Sequence, residues 1–436
     1  VPEEPESCVV SNTCAGGDDC TDEVPNNDVD ENCDGLLGLN DCAVLDVEGG
    51  KYVLAEDLTV SVEDLIVSDD LFNPKVCFSI AASDVTLNFI GNSLIGPGSG
   101  TGIKIECLGY SGTGGCTQQQ QGFVLMEGGV SGFDHGIYLG NLDDSSVQSF
   151  HLENCRFGVY SFTGTRNNYS DIFLVNNHPG TYGFSAAFNF ISVNHNLVKN
   201  VSSSGNQGQG IMLNNVDYSY FENINTSFNT GNSDGIDVVN GAHNTFVNIF
   251  TAENGDDGME IEGSINNSVY GLVSINNKGV VDGNGEGIKL DEGSHHYLEN
   301  IYVSGNVRRG VDIEESDYNT FVNIVSEGNG ESGFVVRQGA NNNAVIGLTS
   351  FENTDHGLEV RESSMNNILT NLNLSNNGIN GARFSLASGT IINGTSSSCG
   401  NTIDYYCSSS SFINSASIFD LNSGCGSSLV QTATCP

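Results

Sequence analysis

The stretch Gly258-Met259-Glu260-Ile261-Glu262-Gly263 is one copy of a phrase that this chain rewrites eight times. The other copies are GIMLNN from Gly210, GIDVVN from Gly235, GIKLDE from Gly287, GVDIEE from Gly310, GFVVRQ from Gly333, GLEVRE from Gly357 and GARFSL from Gly381. The glycines are spaced by 25, 23, 29, 23, 23, 24 and 24 residues. Between copies runs a second phrase, as in FENI from Phe221, FVNI from Phe246 and Phe321, and LENI from Leu298. Met259 and Ile261 alternate with Glu260 and Glu262, as Ile288 and Leu290 do with Lys289 and Asp291, so each phrase reads as a short strand with one face inside.

Two or three four-residue strands per repeat are too few for a propeller blade, and the Gly and Asn content of every repeat argues against helical repeats. The pattern predicts an all-β solenoid, a right-handed parallel β-helix of about 23-residue coils stacked about 4.8 Å apart. Asn229, Asn254, Asn276, Asn306, Asn329, Asn353 and Asn376 recur once per coil, and Asn223, Asn248, Asn300, Asn323 and Asn371 form a second column with Gly271 and Gly347 in the same slot. Columns that follow the repeat are scaffold: stacked amides hydrogen-bond from coil to coil and tolerate left-handed turns.

Outward from this array the chain divides into an acidic, cysteine-rich leader (1–50), the β-helix (51–395) and a Ser/Cys-rich C-terminal cap (396–436). The ends of a solenoid need such covers over their strand edges. Of 436 residues, 54 are Asp or Glu and 13 are Lys or Arg, a net charge of −41 that argues against nucleic acid and anionic membranes and favours cations. No apolar run approaches the roughly 18 to 20 residues of a membrane span. Thirteen cysteines, concentrated toward the ends, point to disulfides, an oxidising compartment and an extracellular or cell-surface location, with at least one thiol left over. The chain opens on Val1 without a signal-peptide pattern, as a processed form does. Six N-x-S/T sequons, at Asn168, Asn200, Asn225, Asn266, Asn373 and Asn393, permit glycosylation.

In the leader, Asp30, Asn32, Asp34, Gly35 and Asp41, with Asp28 adjoining, follow D-x-N-x-D-G with a carboxylate at position twelve. This supplies oxygens around a sharp turn and resembles the calcium loops of EF-hands and dockerins, which implies Ca²⁺. The opening coils, YVLAEDLTV from Tyr52 and VCFSIAASDVTLNFIG from Val76, resemble those of secreted right-handed β-helix proteins of the pectate-lyase-like type, including microbial surface proteins. Cys107 and Cys116 bracket a Gly-rich insertion suited to a disulfide-tied loop.

Two enzymatic resemblances bear on the repeat. NSDGID from Asn232 and GDDGMEIEG from Gly255 look like the polygalacturonase family, which implies Asp234, Asp256 and Asp257 as catalytic carboxylates. The following coils bring Glu286, Asp312 and Glu314 where that family has a His and two cations. A calcium-dependent polysaccharide lyase, which shares the fold, would use carboxylates for the metal and Lys289 as base. Against both stands a charge ladder, Glu260/Lys289/Asp312 and Glu314/Arg337, in which a lysine held by two carboxylates keeps its proton. The eight histidines read as turn or surface residues. On this balance the sequence points away from an enzyme, with no catalytic residues, and toward a calcium-stabilised extracellular structural protein that self-associates into a filament or sheath. A polysaccharide-active enzyme or carbohydrate-binding module is the alternative.

Overall fold

The computed structural model describes residues 36–67, 75–105, 120–178, 186–279, 284–394, 397–408 and 413–415. Asp28, Asp30, Asn32 and Asp34 of the expected calcium loop, the Cys107–Cys116 insertion and most of the C-terminal cap lie outside these residues. Asp41 is exposed, and its Oδ1 accepts a hydrogen bond from the Cys42 amide at 2.8 Å. Two compact units divide at His178/Pro179.

In the first unit, Lys75–Ile80, Thr101–Ile105, His135–Asp143 and Phe157–Thr165 pair in parallel, and Val124–Ser131, Ser146–Glu153 and Asn168–Val175 form a second parallel set. A disulfide joins Cys42 to Cys77, while Cys155 is a buried free thiol whose pKa burial pushes up to about 12.

The second unit carries the repeat, and it is a right-handed parallel β-helix as the periodicity predicts. One sheet stacks Gln209–Asn214, Ile236–Val239, Met259–Glu262, Ile288–Asp291, Val311–Glu314, Phe334–Arg337 and His356–Arg361 in register. Another stacks Tyr220–Ser227, Thr245–Ala252, Ser268–Ile275, Tyr297–Ser304, Thr320–Glu327 and Ala344–Phe351. The alternating apolar residues fill the interior: Ile236, Val238, Met259, Ile261, Ile288 and Leu290 are each at most 1% exposed. The glycine that opens each strand is required by close approach, since a Cβ on Gly258 would lie 2.6 Å from the Gly287 carbonyl and 2.5 Å from Thr251 Oγ1.

The buried asparagine column is real but passes one residue later than expected in two coils. Asn229 Nδ2 donates to Asn254 Oδ1 (2.9 Å), Asn254 to Asn277, Asn277 to Asn306, Asn306 to Asn329, Asn329 to Asn353 and Asn353 to Asn377. Asn277 and Asn377 therefore replace Asn276 and Asn376, which sit exposed with φ near 57° at the bend before the ladder. In the second column Asn223, Asn248, Asn300 and Asn323 have φ of 55–58°, which explains why Gly271 and Gly347 substitute there. Two histidines depart from the surface reading: His296 and His356 are 1% and 6% exposed, and His296 Nδ1 accepts the Asn267 amide in a third polar column. Among the described residues no helix is long and apolar enough to cross a membrane.

Candidate active site

The residue before each strand-opening glycine forms a column that runs Asp234, Asp257, Glu286, Arg309. Backbone bonds hold the four in line: Gly235 N to Asp257 O (2.9 Å), Gly258 N to Glu286 O (3.0 Å) and Gly287 N to Arg309 O (3.0 Å). Asp256 precedes this column, and Asp237 and Glu260 follow it as directly paired outward positions on adjacent strands. Six carboxylates thus meet over three coils.

The structure brings together the three aspartates that the sequence singled out. One oxygen each of Asp234, Asp256 and Asp257 lies within 4.8 Å of the others, and Asp234, Asp237 and Glu260 make a second such group. Asp234, Asp237 and Asp256 are 5–6% exposed and Asp257 is 1% exposed. Part of the cluster is anchored. Asp257 Oδ1 accepts the amides of Gly285 (3.0 Å) and Glu286 (2.7 Å), Asp234 Oδ1 accepts the Asp257 amide (2.9 Å), and Asp237 Oδ2 accepts Gln209 Nε2 (2.6 Å). Their remaining capacity is unused: Asp237 Oδ1, Asp256 Oδ1, Asp257 Oδ2 and Glu286 Oε2 are buried without a hydrogen-bond partner.

Such crowding raises carboxyl pKa values. Burial, then Glu260 and Glu262, push Asp237 up to about 8, and burial, then Glu260 and Glu286, push Asp256 up to about 6. Asp234 and Asp257 are raised as well, chiefly by burial and then by Glu260 and Glu286 respectively. Either the cluster holds protons at neutral pH, or a cation replaces them.

Two chemistries call for different spacings. An inverting glycosidase needs carboxyls about 6.5–9.5 Å apart, whereas ligands on opposite sides of one Ca²⁺ are separated by about twice its 2.3–2.6 Å bond length. Oxygens within 4.8 Å of one another suit one hard cation, and Asp256 and Asp257 in the first group and Asp237 in the second each keep an oxygen without a hydrogen-bond partner.

Lys289 lies in the next coil, with Nζ 2.8 Å from Glu260 and 2.9 Å from Asp291 and its side chain 13% accessible. Burial alone would lower its pKa, but Glu260 and then Asp291 more than offset that and hold it above the usual lysine range. The expected ladder to Asp312 does not form. Asp312 is fully buried and taken by Arg309 Nη1 (2.7 Å) and Arg337 Nη2 (3.0 Å), while Arg337 also bonds Glu314 as expected. Sequence reasoning missed Asp237; the available signal was its outward slot in GIDVVN, directly beside that of Glu260 in the next coil.

No protein-family model and no curated protein matches the chain. Its fold is similar to that of the A-module of the mannuronan C-5 epimerase AlgE6 from Azotobacter vinelandii, at 14% identity over 79% of this chain and 91% of that one, with a TM-score of 0.53. It is also similar to the tailspike protein of Escherichia coli bacteriophage HK620, solved with a pentasaccharide, at 10% identity over 84% of this chain and 74% of that one, with a TM-score of 0.51.

The structural-protein reading needs correction. It rested on the absence of a catalytic set and on assigning the Asp residues to the scaffold. The asparagine ladder is bonded from coil to coil, whereas the acid cluster is confined to three coils and carries orphaned oxygens beside a lysine. The buried acid cluster in contact with Lys289 is the finding that overturns that reading.

Proposed function

We propose that this protein is an extracellular enzyme acting on a uronate-containing polysaccharide, a calcium-assisted lyase or epimerase that removes the proton α to a sugar carboxylate. The observation that carries this reading is the buried acid cluster of Asp234, Asp237, Asp256, Asp257 and Glu260, with orphaned oxygens, in contact with Lys289. An acidic site facing an acidic substrate is repulsive unless a cation stands between them. Bound there, a divalent cation would neutralise the substrate carboxylate and acidify its α proton.

Lys289 is assigned the general-base role. Its Nζ takes the C5 proton in its neutral form; in elimination the C5–H electron pair becomes the C4=C5 double bond, the C4–O bond breaks, and the leaving oxygen is protonated from water. Return of a proton to the opposite face of C5 gives the epimer instead. The ammonium form is favoured by Glu260 and by Asp291; Glu260 belongs both to the acid group and to the Lys289 pair, so neutralising it removes one of the two carboxylates that oppose a neutral Lys289. Asp257 and Asp234, fixed by backbone amides, hold the cluster in place.

The test is incubation with polygalacturonate and with alginate, following absorbance of unsaturated uronate and, by NMR, epimer composition. Activity that requires Ca²⁺ and falls by a factor of about 10² or more in Lys289→Ala supports the assignment. Activity unchanged by both Ca²⁺ removal and Lys289→Ala contradicts it.

A further inference from the structure

The chain has 13 Lys and Arg residues, and six of them, Lys289, Arg308, Arg309, Arg337, Arg361 and Arg383, lie on the acid-cluster sheet or the turns entering it, in the coils that follow the cluster. In a protein of net charge −41 this is a strong local concentration. The first members are consumed by fixed carboxylates: Lys289 by Glu260 and Asp291, Arg308 and Arg309 by Glu286 and Glu331, and Arg309 and Arg337 by Asp312.

One and two coils farther on, two arginines, Arg361 and Arg383, face two carboxylates, Glu359 and Glu362. Arg361 and Arg383 converge on one buried carboxylate, Glu359, which is 5% exposed. Arg383 Nη1 donates to Glu359 Oε1 at 2.8 Å, while Arg361 Nε stands 3.6 Å from Glu359 Oε2, beyond hydrogen-bond reach, and is buried without an acceptor. The second partner of Arg361 is Glu362, at 3.1 Å, whose side chain is 42% accessible and therefore screened by solvent. Both side chains stay partly exposed, 26% for Arg361 and 37% for Arg383, although Arg361 Nε itself is buried. Buried His356 responds to the same local field: burial, then Arg383 and Arg361, lower its pKa to about 4, so it adds no charge at neutral pH.

We infer that Arg361 and Arg383 form a subsite for a uronate carboxylate of the glycan, remote from the reacting sugar. This deepens the proposed function and rests on it for the substrate class. Register places Arg383 on the same column as Lys289, through Asp312, Val335 and Glu359, with Arg361 in the next column two residues along the strand from Glu359. Four coil steps of about 4.8 Å separate Lys289 from Arg383, and an extended glycan advances by about one ring per coil, so the bound carboxylate belongs to a sugar roughly three to four units from the reacting one. Guanidinium is suited to that role because its planar fork matches a carboxylate.

The experiment measures binding separately from turnover. Polygalacturonate, alginate and, as a neutral control, dextran are titrated into the full chain carrying Lys289→Ala, and into the same chain with Arg361→Gln and Arg383→Gln added. The subsite predicts at least tenfold weaker binding of the anionic polymers by the combined variant, unchanged calcium binding and circular dichroism, and partial recovery with Arg383→Lys. Uronate trisaccharides, too short to span both places, are unaffected. Equal affinity of both proteins for both anionic polymers overturns the inference. Arginine-dependent binding without any product from the native chain would defeat the enzymatic reading and leave the subsite standing; product formation insensitive to the arginines would do the reverse. No binding of either polymer defeats both.

Discussion

Two of the buried polar columns in the second unit, the asparagine ladder and the acid column, differ in one respect. The asparagine ladder from Asn229 to Asn377 is closed: each amide donates to the next coil and accepts from the previous one. The acid column through Asp234, Asp257 and Glu286 is open: backbone amides hold one side of Asp234 and Asp257, while Asp257 Oδ2 and Glu286 Oε2 have no partner. Both are buried polar groups, which cost free energy unless they are paired. The closed column stabilises the stack by itself, and the open one leaves acceptors that protons or a bound cation would satisfy. Beside the closed ladder, the unpaired carboxylate oxygens mark the acid column as the candidate site.

Substitutions should therefore act in opposite directions in the two columns. Asn329→Ala removes the donors to Asn353 and Ser326 and leaves the Asn306 amide donor without its acceptor, so unfolding should become easier by about 3 kcal/mol, read by denaturant melts. Asp257→Asn keeps an acceptor for the Gly285 and Glu286 amides while removing a crowded acid. The metal-free variant should melt at or above the temperature of the native chain and lose calcium-dependent activity. A destabilisation as large as that of Asn329→Ala would erase the distinction.

The distinction also predicts a pH dependence. Asp256 and Asp237 have folded pKa values of about 6 and about 8, above those of an unfolded chain, so over this range the folded state binds more protons than the unfolded one. Stability of the calcium-free protein should therefore fall as pH rises from about 4 to about 8, and added Ca²⁺ should restore it at the upper end. A calcium-free melting temperature that climbs across that interval would contradict the open-column description.

The smallest expected effect concerns His296, which stands in a column otherwise built of Asn244, Asn267, Asn319 and Asn343. Burial lowers its pKa to about 4, so the native chain should lose stability as pH falls from about 6.5 toward 4. His296→Asn should remove that component and change stability little at pH 7. Melting curves at pH 5 and pH 7 check it.

Much of this was legible in the sequence, for reasons tied to particular residues. Period-2 alternation is local, so Met259, Ile261, Ile288 and Leu290 could be placed inside from four-residue windows. The polygalacturonase-like motifs set Asp234 beside Asp256 and Asp257 one coil away, in keeping with the repeat length. The asparagine register slipped because Asn276-Asn277 and Asn376-Asn377 are pairs, and composition cannot tell which member turns inward. Lys289 was assigned to Asp312 because ladder pairing was considered only across strands. Asp291, two residues along the same strand and on the same face, is equally near, and Arg309 and Arg337 occupy Asp312. The orphaned oxygens were not legible at all, since they depend on how the neighbouring coils close over the cluster.

The central claim is tested most directly by calorimetric titration of chelator-stripped protein with Ca²⁺, comparing the native chain with Asp256→Asn/Asp257→Asn. The account predicts that the native chain binds one more Ca²⁺ than the variant, whatever the leader contributes to both. Identical stoichiometry and affinity in the two proteins would contradict it.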